Sequence, residues 1–230
     1  MDCRTGAIAM IDRFSLSAET GKIVDKFHVR KALQSDTQRF NITPTHSAAI
    51  IMNDRHEVRT LQQARWGLFP FWAKDAVNTS YDQMTRKAFL GRMLSRQRCV
   101  IPCSGFYGQK QVGQERDPRA MHIVLPSKPL FGIAGIFDRW RSPGGEEIRA
   151  FTMLTAEMSG AMSVWQPNVP IILDEEGIEE WLHPHIHQID QLRKHLVPLD
   201  SYFMRAYPVT NAVRDDQYES PDCVREIDYA

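Results

Sequence analysis

No run of apolar residues in this chain approaches the length of a bilayer-spanning helix, which excludes a helical integral membrane protein. The first residues lack the basic, apolar and small-residue regions of a secretory signal. Cysteine is scarce: Cys3, Cys99, Cys103 and Cys223 are too few and too scattered for a disulfide scaffold. Together these absences lead to the expectation of a cytoplasmic protein with reduced thiols. Net charge is missing too, 28 basic residues being balanced by 28 acidic ones. A sequence-independent duplex binder is normally basic overall, so any nucleic-acid surface here must be a local patch. Repeats, low-complexity tracts and linkers are also absent.

What is present is a core. Hydrophobic residues make up 43% of 230 positions, enough to bury a sizeable interior. Periodicity predicts a helix over residues 17–27 with Ile23, Val24 and Phe27 inward, a strand over 47–52, a helix over 83–96 and a strand over 97–102. Residues 108–119 are polar with Gly and Pro and read as a loop or hairpin tip. Strands are expected over 121–125, 130–137 and 149–155, with Pro143-Gly144-Gly145 turning between the last two. Asp174-Glu175-Glu176 opens a helix through Leu182, its acids at the favourable end. A short helix over 189–196 and a strand over 207–210 follow. Short strands with helices between them indicate an α+β fold in one mixed domain over residues 10–230, preceded by a flexible extension over residues 1–9.

Residues 65–75 carry one guanidinium, two indoles, two phenyl rings and an ammonium. Rings this dense must pack on something. The plain possibility is the protein's own core; the sharper one is a base-stacking platform flanked by phosphate-binding cations. Arg65-Trp66-Gly67-Leu68-Phe69-Pro70-Phe71-Trp72-Ala73 also resembles R-W-G-L-x-P-x-W-A, a hallmark of the SOS response-associated peptidase family, which senses abasic sites in single-stranded DNA. Arg13-Phe14-Ser15-Leu16 is similar to that family's G-R-F-[ST]-L, and Arg39-Phe40-Asn41-Ile42-Thr43-Pro44-Thr45 to its R-Y-N-[IV]-A-P-[ST]. Further blocks at residues 98–107, 130–140, 169–173 and 180–182 follow in the family's order. The resemblance implies a bifurcated, partly barrel-like β-sheet wrapped by helices.

It also implies a chemistry. In the family, removal of the initiator Met leaves cysteine as residue one, and its amine and thiol close a thiazolidine on the aldehyde of an abasic sugar. Asn, Glu and His position the sugar and move protons. Here the cysteine position falls on Ile11, which is internal and has no free amine. The glutamate position is Gly108 and the histidine position Gln166. Asn78 is retained, while Ser80 and Asp82 replace the family's Arg and Glu. Ile, Gly and Gln neither transfer protons nor attack carbonyls near neutral pH. The expectation is a catalytically degenerate member, with no confident catalytic residue. The arginines in matching blocks imply DNA contacts from Arg13, Arg39, Arg65, Trp66 and Asn78. An arginine stacked on an indole inside the fold is the plainer role for Arg13 and Trp66.

Other features attract attention. Cys3 offers a substitute nucleophile, set against an unreactive thiol in a tail and an Asp2 that disfavours removal of Met1. Cys99 and Cys103 are better read as buried thiols than as half a zinc site. The His183–His187 tract lacks a carboxylate or cysteine beside it in sequence. No metal or cofactor is expected. Arg86, Lys87, Arg92, Arg96 and Arg98 form either a phosphate face or a solvated helix surface. Three functions stay open: non-covalent binding of single-stranded or junction DNA, a protein-interaction role on the same fold in a phage or stress setting, and an active enzyme using Cys3. All three place the four positions Ile11, Asn78, Gly108 and Gln166 around one concavity.

Overall fold

A computed structural model describes residues 11–32, 36–68, 77–110, 118–141, 144–158, 163 and 166–228. In chain order these form β1 (Phe14–Leu16), α1 (Thr20–Lys26), β2 (Arg39–Ile42), β3 (Ser47–Asn53), β4 (Arg59–Trp66), β5 (Asn78–Ser80), α2 (Tyr81–Arg86), α3 (Ala88–Arg96), β6 (Arg98–Cys103), β7 (Gly105–Lys110), β8 (Arg119–Val124), β9 (Phe131–Arg141), β10 (Glu147–Glu157), β11 (Asn168–Pro170), β12 (Ile172–Leu173), α4 (Glu175–Leu182), α5 (Ile189–Leu192) and β13 (Arg205–Pro208). Short 3-10 turns at Asn211–Arg214 and Pro221–Val224 punctuate the C-terminal tail.

The strands make two sheets. One is antiparallel, in the order β13-β8-β7-β1-β2; the other runs β11-β10-β4-β3-β6-β9-β12, with β5 added to β10. The chain changes sheet four times, most abruptly at Ser104, where β6 passes directly into β7. A single buried cluster holds Phe14, Leu16, Phe106 and Ile123 from the first sheet and Ile50, Ile101 and Phe151 from the second. The architecture is the mixed α+β one expected.

Local chemistry explains where the helices start. Asp174 caps α4 by accepting from the Gly177 amide at 2.7 Å, and Glu175 and Glu176 sit in the first turn. Helix α4 buries Ile178, Trp181 and Leu182. The Trp181 indole N–H donates to the Cys99 carbonyl at 2.9 Å, so the ring leaves water without an orphaned donor. Ser80 and Gln83 cap α2 reciprocally.

The single helix expected over 83–96 is two. Lys87 breaks it with an extended backbone (φ −106°, ψ 109°). The break lets α2 pack on β5 and β10 while α3 packs on β6 and β9. The loop expected over 108–119 is in part strand, since β7 continues to Lys110 and β8 begins at Arg119. The first helix is shorter than expected, starting at Thr20, because the Ser17 amide and carbonyl are taken by the Ser104 and Gln38 side chains. The extension over residues 1–9, with Cys3, lies outside the described residues, as do residues 69–76.

Candidate functional site

The sequence motifs converge where β1, β5 and β7 meet. Phe14 and Ser15 pair with Phe106 and Gly105, and the Tyr107 amide donates to the Arg13 carbonyl at 3.1 Å. The residues just before Arg13 therefore run beside Gly108. Ile11 is buried, and its carbonyl accepts a hydrogen bond from Asn78 Nδ2. Asn78 is only 4% exposed and is held by the pairing of β5 with Met153 of β10. Its Oδ1 is buried with no hydrogen-bond partner among the described residues. Gln166 is buried two positions before β11, which pairs with the far end of β10 at Glu157. Ile11, Asn78 and Gly108 thus come together. Gln166 joins them only through β10, and Trp165 lies outside the described residues.

The side chains expected to touch DNA are placed very differently from one another. Trp66 is fully buried, edge-on to Phe14 at 5.1 Å and stacked against Phe151 at 6.3 Å. Its indole N–H donates to the Val77 carbonyl at 2.9 Å. A base cannot stack on it without unpacking the core, so the plain reading of the aromatic segment holds for this residue. Arg13 leaves 13% of its side chain exposed. Its guanidinium donates to Asn41 Oδ1 at 3.1 Å, to Asp216 at 2.9 Å and to the Val213 carbonyl. Arg39 pairs with Glu219 at 2.9 Å. Arg65, next to last in β4, lies opposite Ser47 and Ala150 and is half-buried.

Asn41, a residue the sequence offers only as a letter in a motif, organises this edge. Its Nδ2 lies 2.9 Å from the Val213 and Asp215 carbonyls and 2.8 Å from that of Tyr218. The Tyr107 hydroxyl reaches the Phe40 and Cys223 carbonyls at 2.6 and 3.2 Å. The tail after β13 is thereby laced onto β1, β2 and β7. No local signal in the sequence announces this, because the contacts to the tail span 116 to 203 positions.

The remaining candidates resolve simply. Cys99 and Cys103 are fully buried, and burial pushes both thiols up from the ordinary range, as expected of inert core residues. Arg98 is not on a phosphate face. It is buried, and donates to the Leu94 carbonyl at 2.9 Å, the His183 carbonyl at 2.7 Å and the Trp181 carbonyl. These are the C-terminal ends of α3 and α4, where a cation is favoured; desolvation still lowers its pKa to about 10. Glu176, Glu180 and His195 bring potential ligand atoms within 4.8 Å of one another. The Lys194 ammonium already sits 3.2 and 2.9 Å from the two carboxylates and offsets part of their charge, and His195 Nε2 lies 2.8 Å from Glu180, so the cluster is already internally bonded.

With this geometry in hand, comparison with known proteins identifies the class. The chain belongs to the SOS response associated peptidase (SRAP) family, whose description it matches over residues 10–216. It is 31% identical over 226 residues to the abasic site processing protein YoqW of Bacillus subtilis (strain 168), covering 94% of this chain and 99% of that one. It is 27% identical over 224 residues to the abasic site processing protein HMCES of Gallus gallus, covering 82% of this chain and 66% of that protein. A solved structure from Bacteroides thetaiotaomicron superposes with a TM-score of 0.78 at 23% identity, covering 94% of this chain and 99% of that one. A phage-related protein from Bordetella bronchiseptica superposes with a TM-score of 0.71 at 19% identity, covering 86% of this chain and 93% of that one. At these identities the structural likeness is one of fold.

Proposed function

We propose that this protein serves the DNA-damage (SOS) response as a degenerate SRAP member, binding single-stranded or junction DNA non-covalently in the cytoplasm. Relatives named as abasic site processing proteins support the DNA connection. The observation that carries the loss of chemistry is Ile11. It is buried mid-chain, its carbonyl is tied to Asn78, and Gly108 runs beside it. Neither a free amine, a thiol nor a proton-transfer group stands at those positions, and a thiazolidine needs the first two on adjacent carbons. Arg65 remains the DNA contact of this reading at the family site; Asn78, itself buried, holds the Ile11 carbonyl.

The test is a mixture of the protein with abasic single-stranded DNA, run on a denaturing gel after heating. No shifted band is expected. A heat-stable band that vanishes in Cys3→Ala would instead establish an active enzyme using that thiol.

One observation favours the protein-interaction reading. Val197, Tyr202 and Phe203 are exposed large apolar side chains. They adjoin or line a cleft of about 420 Å³ whose walls include Leu125, Ile172 and Leu199. Clustered exposed apolar surface of this kind commonly marks a protein contact. Absence of oligonucleotide binding at low salt would shift the assignment to this reading.

A further inference from the structure

A second concave surface gathers cations away from the Ile11–Asn78 group. It is a cleft of about 280 Å³ between the end of β3, the C-terminus of α3 and β9, lined by Arg55, Arg96, Arg139, Asn53, Gln97 and Phe137, with Asp54 at its edge. Arg55, Arg96 and Arg139 are all exposed, and none of them forms an ion pair among the described residues. Arg139 lies over the Phe137 ring, 5.4 Å from its centroid, and Arg55 Nε rests 3.1 Å from His56.

The carboxylates nearby do not answer these three charges. Asp54 Oδ1 accepts the His56 and Val58 amides at 2.8 and 3.1 Å, and Oδ2 faces Lys31 at 3.7 Å. Asp138 Oδ1 accepts from Gln97 at 3.1 Å and from the Arg139 amide at 2.8 Å. The cleft is left with an excess of positive charge in a protein of zero net charge. Such a local excess attracts an anion far more than the molecule as a whole does.

Two further features fit a polymer better than a lone ion. A second cleft of about 140 Å³ shares Asn53, Asp54, Arg96 and Phe137 and continues to Pro184 and His187. The two form one groove. Within it Asn53 donates to the Leu182 carbonyl at 2.8 Å, which fixes the floor between β3 and α4. Three exposed guanidiniums along one groove can meet successive phosphates of a chain, where a lone ion meets one. Guanidinium forks match phosphate oxygens in pairs.

We propose that Arg55, Arg96 and Arg139 form a phosphodiester-binding groove for the backbone of single-stranded DNA, distinct from the family site. The inference rests on the DNA part of the function proposed above but not on the Ile11 region. Its test is fluorescence anisotropy of a labelled oligo-thymidylate across a salt series, using wild type, the triple variant Arg55→Gln/Arg96→Gln/Arg139→Gln, and the same triple to Lys. The Gln triple should weaken binding at least tenfold and flatten the dependence of log K on log salt by about 2, at about 0.7 per lost contact on a single strand. The Lys triple should restore most of that slope, because it keeps the charges. Urea midpoints of all three proteins should agree, since the side chains are exposed.

An unchanged slope and affinity in the Gln triple overturns the groove and leaves the proposed function standing. Absence of oligonucleotide binding by wild type overturns both. Loss of binding in the Gln triple with full binding in Arg65→Gln upholds the groove and removes DNA from the family site. A pyrophosphate arm separates the sources. Calorimetric binding of pyrophosphate that is lost in the Gln triple, with oligonucleotide affinity unchanged, makes the groove a free-phosphate site and overturns the DNA assignment.

Discussion

Arg13 and Arg39 on the tail-covered sheet, and Arg55, Arg96 and Arg139 in the α3–β9 groove, put the same side chain to opposite uses. On the sheet each guanidinium is met from the tail: Arg13 by two carbonyls and Asp216, Arg39 by Glu219. In the groove the neighbouring carboxylates are bound elsewhere, and the charges face solvent. The first pattern spends directional bonds on holding a segment without regular strand pairing. The second leaves a field with nothing inside the described fold to quench it. An arginine in a family motif is therefore no surer guide to ligand contact than an arginine outside one. What decides is whether a carboxylate or carbonyl already meets it.

The contrast makes the tail-side residues structural, so their replacement should move stability and leave oligonucleotide binding alone. The largest effect is expected for Asn41→Ala. Asn41 is buried and its amide group serves three tail carbonyls while its oxygen serves Arg13. Removing it strands several partly buried groups, at about 1–3 kcal/mol for the first and less for each that reaches water, so a total near 3 kcal/mol is expected. Urea denaturation reads the loss, and limited proteolysis should nick the tail sooner. A change below about 1 kcal/mol would break the comparison, because the tail would then not depend on this lacing.

A smaller effect should appear as a pH dependence. His122 on β8 is buried between Ser15 and Tyr207. The Tyr207 hydroxyl donates to the Val224 carbonyl at 3.0 Å, so its oxygen is free to accept from His122 Nδ1–H at 2.8 Å. Nε2 faces Ser15 Oγ at 2.9 Å, a hydroxyl that also lies 3.2 Å from the Gly105 carbonyl, and burial keeps the ring neutral. Gly105 makes the fit possible, since a Cβ there would lie 2.3 Å from Nε2. Burial lowers the His122 pKa to about 3 from an ordinary 6.5. The unfolded chain therefore binds a proton between those values that the folded chain refuses. Stability is whole above pH 6.5 and falls as pH drops toward 3, by at most about 1.4 kcal/mol per pH unit. At pH 5 the loss should be about 2 kcal/mol, and His122→Gln should remove that part of the slope. An identical slope in the variant would place the acid sensitivity elsewhere.

These residues also show how far the sequence was legible. Helix α4 was readable because its cap, its acidic first turn and its apolar face are all local. So were the β6, β9 and β10 strands. Strand β4 lacks a clear signal because Gln62 and Gln63 interrupt its apolar pattern, yet both are half-buried, paired with Ile50 and Ala49 of β3. Trp66 carried both a core and a surface reading, and only Phe14 and Phe151, distant in the chain, decide for the core. Motif order placed Ile11, Gly108, Asn78 and Gln166 together; the first three adjoin, while Gln166 precedes a strand that pairs at the far end of β10. It could not reveal the tail, nor the groove, where Arg96 was visible on a helix face but Arg55 and Arg139 join it only through tertiary packing.

Arg39 gives the smallest expected effect and the sharpest edge to the comparison. It sits on the tail side, but its side chain is 38% exposed and that of Glu219 35%. Glu219 also accepts the Phe40 amide through its other oxygen, and that bond survives loss of the arginine. Arg39→Ala should therefore cost only about 0.5 kcal/mol, as half-exposed ion pairs do. The difference should fade at high salt, where the screening length drops to about 3 Å at 1 M. Salt thus weakens both the Arg39 pair and the groove, and stability alone cannot tell a tail arginine from a ligand-binding one here. The oligonucleotide slope can. It should be unchanged in Arg39→Ala, because Glu219 already holds the guanidinium. If the slope instead falls by about 0.7, a phosphate competes with Glu219 for Arg39, the DNA path crosses the tail-covered sheet, and the division between the two sets of arginines fails at its most exposed member.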